Sequence, residues 1–209
     1  QYFSNGDPAT AYDVWFSIAR CIAFTGGSPG TADWIQAHYL VPGVQNGTAD
    51  VYTNNTWAVA TQSVTYDNAS NTVTFHFNRA MPPTLVFQIL ADPEGAGIVD
   101  SRYAWSVGAG FNEANWDEYK NQANAGSYNT KMDWSPIGSG PFMIQSYTPG
   151  QSVLLAPNPH YGGVPGIPPQ TIKVVVNWVK TPDTALLMLQ DGQADVAMGL
   201  PPSDFPAVQ

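Results

Sequence analysis

The sequence predicts a mixed α/β fold, with helices and a β-hairpin first and a strand–helix–strand unit near the end. Three observations predict this fold class. Apolar residues recur at helical spacing after Thr10, β-rich runs flank an Asn-rich turn at 67–71, and a helix start lies between two β-rich runs over 172–198. The last unit has the length of a βαβ crossover, so we expect two parallel strands and a right-handed connection.

Two helices are predicted in the first part of the chain. Thr10 can cap the first helix, and Asp13, three residues later, can reach back to the amide of the cap. Gly26-Gly27 ends that helix. The second helix is expected over 31–40 and stops before Pro42-Gly43.

Two β-hairpins are predicted further along. The first joins Ala58–Tyr66 to Thr72–Phe77 through a five-residue loop, and its alternation of apolar and polar residues indicates one buried face. The second joins Phe142–Tyr147 to Ser152–Ala156 around Pro149-Gly150. Both therefore combine β-rich runs with turn residues.

The remaining predicted elements are short. Thr181-Pro182-Asp183 carries a capping hydroxyl, a proline in the first turn and an acid beside it, which is typical of a helix start. Gly192 ends this helix, and strands are expected on either side of it, a mostly buried one over 172–177 and a short one over Ala194–Met198. Further helices are expected over Thr84–Leu90, Ser101–Val107 and Asn115–Ala125.

The charge balance argues against several kinds of partner. The 209 residues include seven Lys and Arg against 16 Asp and Glu, a net charge of −9, whereas nucleic acids and anionic membranes require a basic face. Charged residues make up 11% of the chain, where a soluble domain usually has about a quarter. Uncharged polar residues therefore fill the surface, and we hypothesise that such a surface suits an acidic exterior.

Several sequence features bear on where the protein works, and together they favour a location outside the cytoplasm without identifying the compartment. Cys21 is the one cysteine, so no intramolecular disulfide can form, which fits the cytosol or a disulfide-free exported protein. No apolar run is long enough to span a bilayer. Asn46, Asn54 and Asn68 begin Asn-x-Ser/Thr tripeptides, which favour an extracytoplasmic surface. No signal peptide is visible and the chain begins at Gln1, so we expect a fragment of a longer protein.

Catalytic patterns are weak in this sequence. Gly26-Gly27-Ser28-Pro29-Gly30 matches the G-x-S-x-G pattern of serine hydrolases, which makes a hydrolase using Ser28 the alternative from another class. A helix precedes the serine, and Pro29 has no N–H for an oxyanion hole, so a turn between helices fits better. His38, His76 and His160 have no metal-ligand spacing.

Other polar candidates fit structural roles better than catalytic ones. Glu113, Asp117 and Glu118 could form a general acid pair, but a solvated helix face explains them better. Cys21 falls on an apolar stripe and is predicted to be core.

Aromatic residues are the strongest indication of binding that composition offers. Tryptophan and tyrosine provide a large contact area with a polar tip, which suits peptides or sugars. Trp15 and Trp178 lie in regular elements and are predicted to be core. The candidates nearer loops are Trp34, Tyr39, Trp105 and Trp134.

Residues 3–14 (FSNGDPATAYDV) resemble the helix-start motif F-(S/H)-(D/N)-G-x-P-(L/V)-T-A-x-D-V, and residues 137–142 (IGSGPF) resemble the strand-entry motif G-T-G-P-Y. Both motifs belong to the extracellular solute-binding proteins of peptide-type ABC importers, the oligopeptide, dipeptide and nickel group, so the chain resembles this family. Similar matches occur at 67–81, 149–161 and 190–197. Their order and spacing agree over nearly the whole chain.

The resemblance implies a periplasmic-binding-protein-like fold of type II, in which two lobes close on a solute. Residues 1–135 would be the accessory domain of the first lobe. Residues 136–209 would be the central α/β part of that lobe, truncated before the second lobe. No catalysis, cofactor or metal is implied.

The function implied is that of the substrate-binding subunit of an ABC importer, which captures a solute outside the cell membrane and delivers it to the permease subunits. Oligopeptide is the first expected ligand, and oligosaccharide is the alternative because Trp-rich stacking and low charge suit sugars. Met198 and Gly199 match positions where the backbone of relatives reaches the cleft. Trp34 and Tyr39 would line it from the accessory domain.

Overall fold

The computed structural model describes residues 1–24, 34–45, 51, 53–92, 96–121, 132, 137–163 and 173–208. The chain divides into two compact units. The first contains Gln1–Met143 and Asn158–Pro169, and the second contains Ile144–Pro157 and Gln170–Gln209. The domain boundary expected at 135 stays a prediction.

The first unit consists of helices around one long helix, with a two-stranded hairpin. Its helices are α1 (Ala11–Phe24), α2 (Trp34–Leu40), α3 (Trp57–Ser63), α4 (Pro83–Leu90), α5 (Ser101–Ser106) and α6 (Trp116–Asn121), with a 3-10 turn η1 (Glu113–Asn115) before α6. Its strands are β1 (Val64–Asp67) and β2 (Thr72–Phe75). The helices expected from about 84, 101 and 115 are confirmed, the last as η1 followed by α6.

Helix α1 forms the centre of the first unit. Eleven of its 14 residues are buried, because apolar residues occupy almost its whole circumference rather than one stripe. The Phe16 ring stacks on Phe111 with the ring centroids 4.6 Å apart, and Trp57 and Trp116 extend the cluster. The predicted core positions of Trp15 and Cys21 are confirmed.

The first hairpin is shorter than the sequence suggested. The expected strand Ala58–Tyr66 is wrong over its first half, because Trp57–Ser63 forms α3. The hydroxyl of Thr56 accepts a hydrogen bond from the Val59 N–H at 3.2 Å and caps this helix. The strand begins only at Val64, which pairs with Phe75 in the antiparallel register of β1 and β2.

The second unit contains a three-stranded sheet and one helix among its described residues. Its strands are β3 (Phe142–Thr148), β4 (Ser152–Pro157) and β5 (Val174–Asn177), in that spatial order, followed by α7 (Pro182–Gln190) and a 3-10 helix η2 (Pro202–Val208). The hairpin over 142–156 is confirmed. The Thr181 hydroxyl accepts from the Thr184 N–H at 3.2 Å, which confirms the start predicted for α7.

The parallel βαβ unit predicted over 172–198 is wrong. Strand β5 pairs antiparallel with β4, with Val153 opposite Val176. Residues 194–198 form no strand, because a strand needs a ladder partner and no described residue pairs with them.

The sheet of the second unit is apolar on both faces. Residues opposite each other share a face and successive residues alternate, so Val153 and Val176 lie on one face and Leu154 and Val175 on the other. Val175 and Val176 are both exposed among the described residues, and Trp178, directly after β5, is 52% exposed. The prediction that Trp178 is core is therefore wrong, because its ring contacts Tyr147 but remains half exposed among the described residues.

Candidate functional site

The N-terminal turn of the first unit contacts Gly138, Ser139 and His160 of the same unit. The Ser4 N–H donates to the Gly138 carbonyl at 2.9 Å, and the Gln1 side chain donates to the Ser139 carbonyl at 3.0 Å. Gly6 has φ of +92°, and a Cβ there would lie 3.3 Å from the His160 ring. Three of the stretches that carry the family resemblance therefore meet in space.

A carboxylate cluster fixes the same turn to α5. Asp100 is fully buried, and its Oδ1 accepts from the Arg102 N–H at 2.9 Å while its Oδ2 accepts from the Asn5 amide at 2.7 Å. The Arg102 guanidinium lies 3.6 Å from Asp7 and 3.8 Å from Asp100. This arrangement holds the turn rather than exposing a reactive carboxylate.

Asp13 is the second buried carboxylate, and it joins the starts of two helices. It accepts from the N–H and hydroxyl of Thr10 at 2.7 Å each, and from the N–H and hydroxyl of Ser101 at 3.0 and 2.6 Å. Burial alone would raise the pKa of Asp13, but the hydrogen bonds from Ser101 and Thr10 hold it below its ordinary value. The predicted link from Asp13 back to the cap amide is confirmed.

The β1–β2 loop supplies the remaining caps of α1, which the sequence did not reveal. Asn71 Oδ1 accepts from the Ala11 N–H at 3.0 Å, and Asn68 Oδ1 accepts from the Tyr12 N–H at 3.1 Å. Asn71 adopts φ of +51°, a left-handed conformation that asparagine tolerates better than most residues. The only sequence signal was the concentration of Asn at 68–71.

Two of the aromatic candidates lie in different surroundings in the first unit. The Tyr39 ring lies under the Arg79 guanidinium, 5.0 Å from it, and beside His38. Trp105 is 43% exposed on α5 and is hydrogen-bonded to Tyr12, whose pKa is raised by burial although that bond opposes the shift. Neither ring is enclosed.

The other two aromatic candidates cannot be placed as side chains. Trp34 begins α2, but its side chain is outside the part of the chain that the structure describes, and Trp134 is outside it entirely. Both therefore stay predictions, as does the hydrolase alternative, because Ser28 is also outside the described residues.

Met198 and Gly199 lie on an exposed segment of the second unit. Met198 is 89% exposed and Val196 is 77% exposed. Gly199 has φ of +77°, and no atom lies within 4 Å of a Cβ built there. Tyr39 and Trp105 belong to the first unit and these residues to the second, so neither unit by itself contains all four described candidates.

Polar groups with catalytic potential are dispersed. Within the described residues, no group of three or more His, Cys, Asp or Glu could hold a metal ion. Glu113, Asp117 and Glu118 are exposed to solvent, as the solvated-face interpretation expects. No helix in the described part of the chain is long and apolar enough to cross a membrane.

Comparison with known proteins identifies the class. The family described as bacterial extracellular solute-binding proteins, family 5 middle region, matches residues 1–209. The match defines the chain as part of an extracellular solute-binding protein. The chain belongs to family 5 of these proteins, which confirms the family inferred from its motifs and the extracytoplasmic location.

Individual relatives agree with this result. Over 72 residues the chain is 39% identical to a probable D,D-dipeptide-binding periplasmic protein of Escherichia coli strain K12, covering 34% of this chain and 13% of that protein. The structure resembles Haemophilus influenzae OppA in complex with the peptide RPPGFSPFR, with a TM-score of 0.64, 18% identity and 99% of this chain covered. Lactococcal OppA in its closed, peptide-bound conformation gives a TM-score of 0.61 at 18% identity and 99% coverage.

These structures confirm the predicted fold and set its extent. The likeness shows the mixed α/β, periplasmic-binding-protein-like fold. The chain spans about a third of the length of the two solved proteins, 34% and 33% respectively. What the complete relatives bind is therefore a property of much longer chains.

Proposed function

We propose that this protein is the solute-capturing component of an ABC importer, working outside the cell membrane, and that its solute is a peptide. The observation that carries the proposal is the exposed segment 195–200 of the second unit. It follows α7 and contains Met198 and Gly199, the positions that the motif match assigns to the ligand cleft.

The segment has backbone groups available for a ligand. The Ala194 N–H donates to the Met188 carbonyl at 3.0 Å, and the Asp204 N–H donates to the Pro201 carbonyl at 3.0 Å. Between these two bonds, residues 195–200 make no backbone hydrogen bond to any described residue. Unpaired N–H and C=O groups in a row are the groups with which an extended peptide pairs, whatever its side chains.

Gly199 suits a close approach to a ligand. Its positive φ is a conformation that other residues adopt only with strain, and the space beside its Cα is open. A ligand backbone can therefore come nearer here than at a residue with a side chain. Met198 adds an adaptable apolar contact, which tolerates different partners.

The aromatic candidates would supply side-chain contacts. Trp34, Tyr39, Trp105 and Trp134 stay proposed ligand contacts on the ground of their chemistry. Binding of the solute would favour a closed state, and delivery to a permease would reopen it. The solute would undergo no chemical change in this cycle. The relatives of known function are described as binding proteins, which supports a role without catalysis.

Tryptophan fluorescence titration of the 209-residue chain tests the proposal. We expect saturable binding of mixed tetrapeptides, and binding weakened at least about threefold by Met198→Ala. Leu187→Ala is the matched control, because Leu187 is also exposed in the second unit but lies on α7. Saturation by cello-oligosaccharides but not by peptides would show that the solute is not a peptide. An equal loss of affinity in both variants would show that the segment 195–200 is not the binding site.

A further inference from the structure

The positive charge that this chain can acquire in acid is small. It has seven Lys and Arg and three His, ten cationic side chains in 209 residues. An ordinary soluble chain of this length, with about a quarter of its residues charged, would carry roughly 25 cations. Repulsion between cations is one contribution to acid unfolding once the carboxylates are neutral, and this chain has few cations to contribute to it.

Neutral side chains cap four of the described helix starts. Asn68 and Asn71 cap α1, Thr56 caps α3, and Thr181 caps α7. The 3-10 turn η1 has a capping box made by Asn112 and Asn115 rather than by an acid. Amide and hydroxyl oxygens do not titrate, whereas an aspartate cap weakens when it is protonated.

The carboxylates that do cap helices are shielded. Asp13 and Asp100 are both fully buried, and each accepts hydrogen bonds from backbone N–H groups and a neighbouring side chain. The titratable and charged groups beside this pair are Tyr12, which interacts with Asp13, and Arg102, which lies between Asp100 and Asp7. Hydrogen bonds to the ionised form lower the pKa of Asp13, so its stabilisation declines as the pH falls below the pKa of an unfolded aspartate, and only the neutral caps keep their full strength in acid.

We propose that this protein is adapted to keep its fold in strongly acidic surroundings, at about pH 3, below the pKa of ordinary carboxylates. Few cations limit repulsion in acid, and uncharged caps preserve the helices when carboxylates are protonated. The adaptation concerns the surroundings in which the solute is captured and does not depend on which solute it is.

Urea unfolding followed by tryptophan fluorescence tests the proposal. We expect the urea midpoint of the 209-residue chain at about pH 2.5 to be at least half of its value at about pH 7. A midpoint below half of the neutral value, or unfolding in acid without urea, would overturn the proposal.

A pair of double variants tests the role of the caps directly. Thr56→Asp with Thr181→Asp replaces two neutral caps with titrating ones, and Thr56→Asn with Thr181→Asn is the uncharged match. The two should have similar midpoints at about pH 7, since aspartate and asparagine cap equally well. At about pH 2.5 we expect the aspartate variant to unfold at about 0.3–1 M less urea. Equal midpoints in acid would show that neutral caps confer no acid tolerance.

Discussion

Asp13 and Ser101 are bound to each other through both groups that Ser101 can donate. The Ser101 hydroxyl lies 2.6 Å and its N–H 3.0 Å from Asp13 Oδ1, while Asp13 Oδ2 binds Thr10. One buried carboxylate therefore holds the first turns of α1 and α5 together, 88 residues apart in sequence. The start of α1, where the family motif lies, therefore has a packing role in this structure.

Replacing Asp13 by asparagine should destabilise the first unit. An amide nitrogen would face N–H and O–H donors where a carboxylate oxygen now accepts, leaving buried donors without a partner. We expect a loss of about 2–4 kcal/mol in the free energy of unfolding, measured by urea denaturation. Asp117→Asn, at an exposed position on α6, is the control and should change it by less than about 0.5 kcal/mol. A similar small change in both variants would contradict this role for Asp13.

The contribution of Asp13 should depend on pH with a definite sign. Because its folded pKa is lowered, its stabilisation is complete above the pKa of an unfolded aspartate, about 3.9, and is lost as pH falls through the folded value. The difference in unfolding free energy between wild type and Asp13→Asn should therefore shrink below about pH 4. A difference that grows on acidification would contradict the direction of the shift.

Asn71 should contribute through both its side chain and its backbone. Asn71→Ala removes the cap on the Ala11 N–H and places alanine at φ of +51°, so we expect a loss of about 1.5–3 kcal/mol. Asn71→Gly removes the cap but accepts the conformation, and should lose about 1 kcal/mol less. Thermal or urea unfolding of both variants measures this, and an equal loss would mean that the conformation carries no strain.

Gly110 is required by Trp105. A Cβ on Gly110 would lie 2.1 Å from Cδ2 of Trp105, which no side chain tolerates, so Gly110→Ala must displace the indole ring. We expect a loss of about 1–3 kcal/mol and a shifted tryptophan emission. Gly138→Ala is the control, because no atom lies within 4 Å of a Cβ there. Unchanged emission in Gly110→Ala would contradict the close packing.

Local signals in the sequence predicted those elements whose stability is local. Thr181-Pro182 specified the start of α7 because a cap and a proline act within one turn. The hairpin over 142–156 followed from its turn residues. In contrast, Trp57–Ser63 reads as a strand in sequence but is a helix, since Thr56 caps it and Trp57 packs edge-on against Trp15. The Thr56 cap is a local signal, whereas the contact between Trp57 and Trp15 joins residues that are distant in sequence and favours a helix over Trp57–Ser63 in a way that periodicity does not show.

Motifs in the sequence indicated which residues to consider for the candidate site, but not how those residues are arranged. The match over 190–197 led to Met198 and Gly199, and both are exposed in a segment that makes no backbone hydrogen bond to any described residue. The absence of a strand at 194–198 and the exposure of Trp178 could not be anticipated. Both depend on which other residues are present to pair with or cover them, and sequence periodicity does not contain that information.

Hydrogen–deuterium exchange of residues 195–200, with and without a saturating mixture of tetrapeptides, tests the proposed capture of peptides most directly. Backbone amides that pair with a bound peptide exchange more slowly, so we expect the exchange of this segment to slow at least about tenfold while that of α7 is unchanged. Exchange of residues 195–200 that is the same with and without peptide would contradict the account.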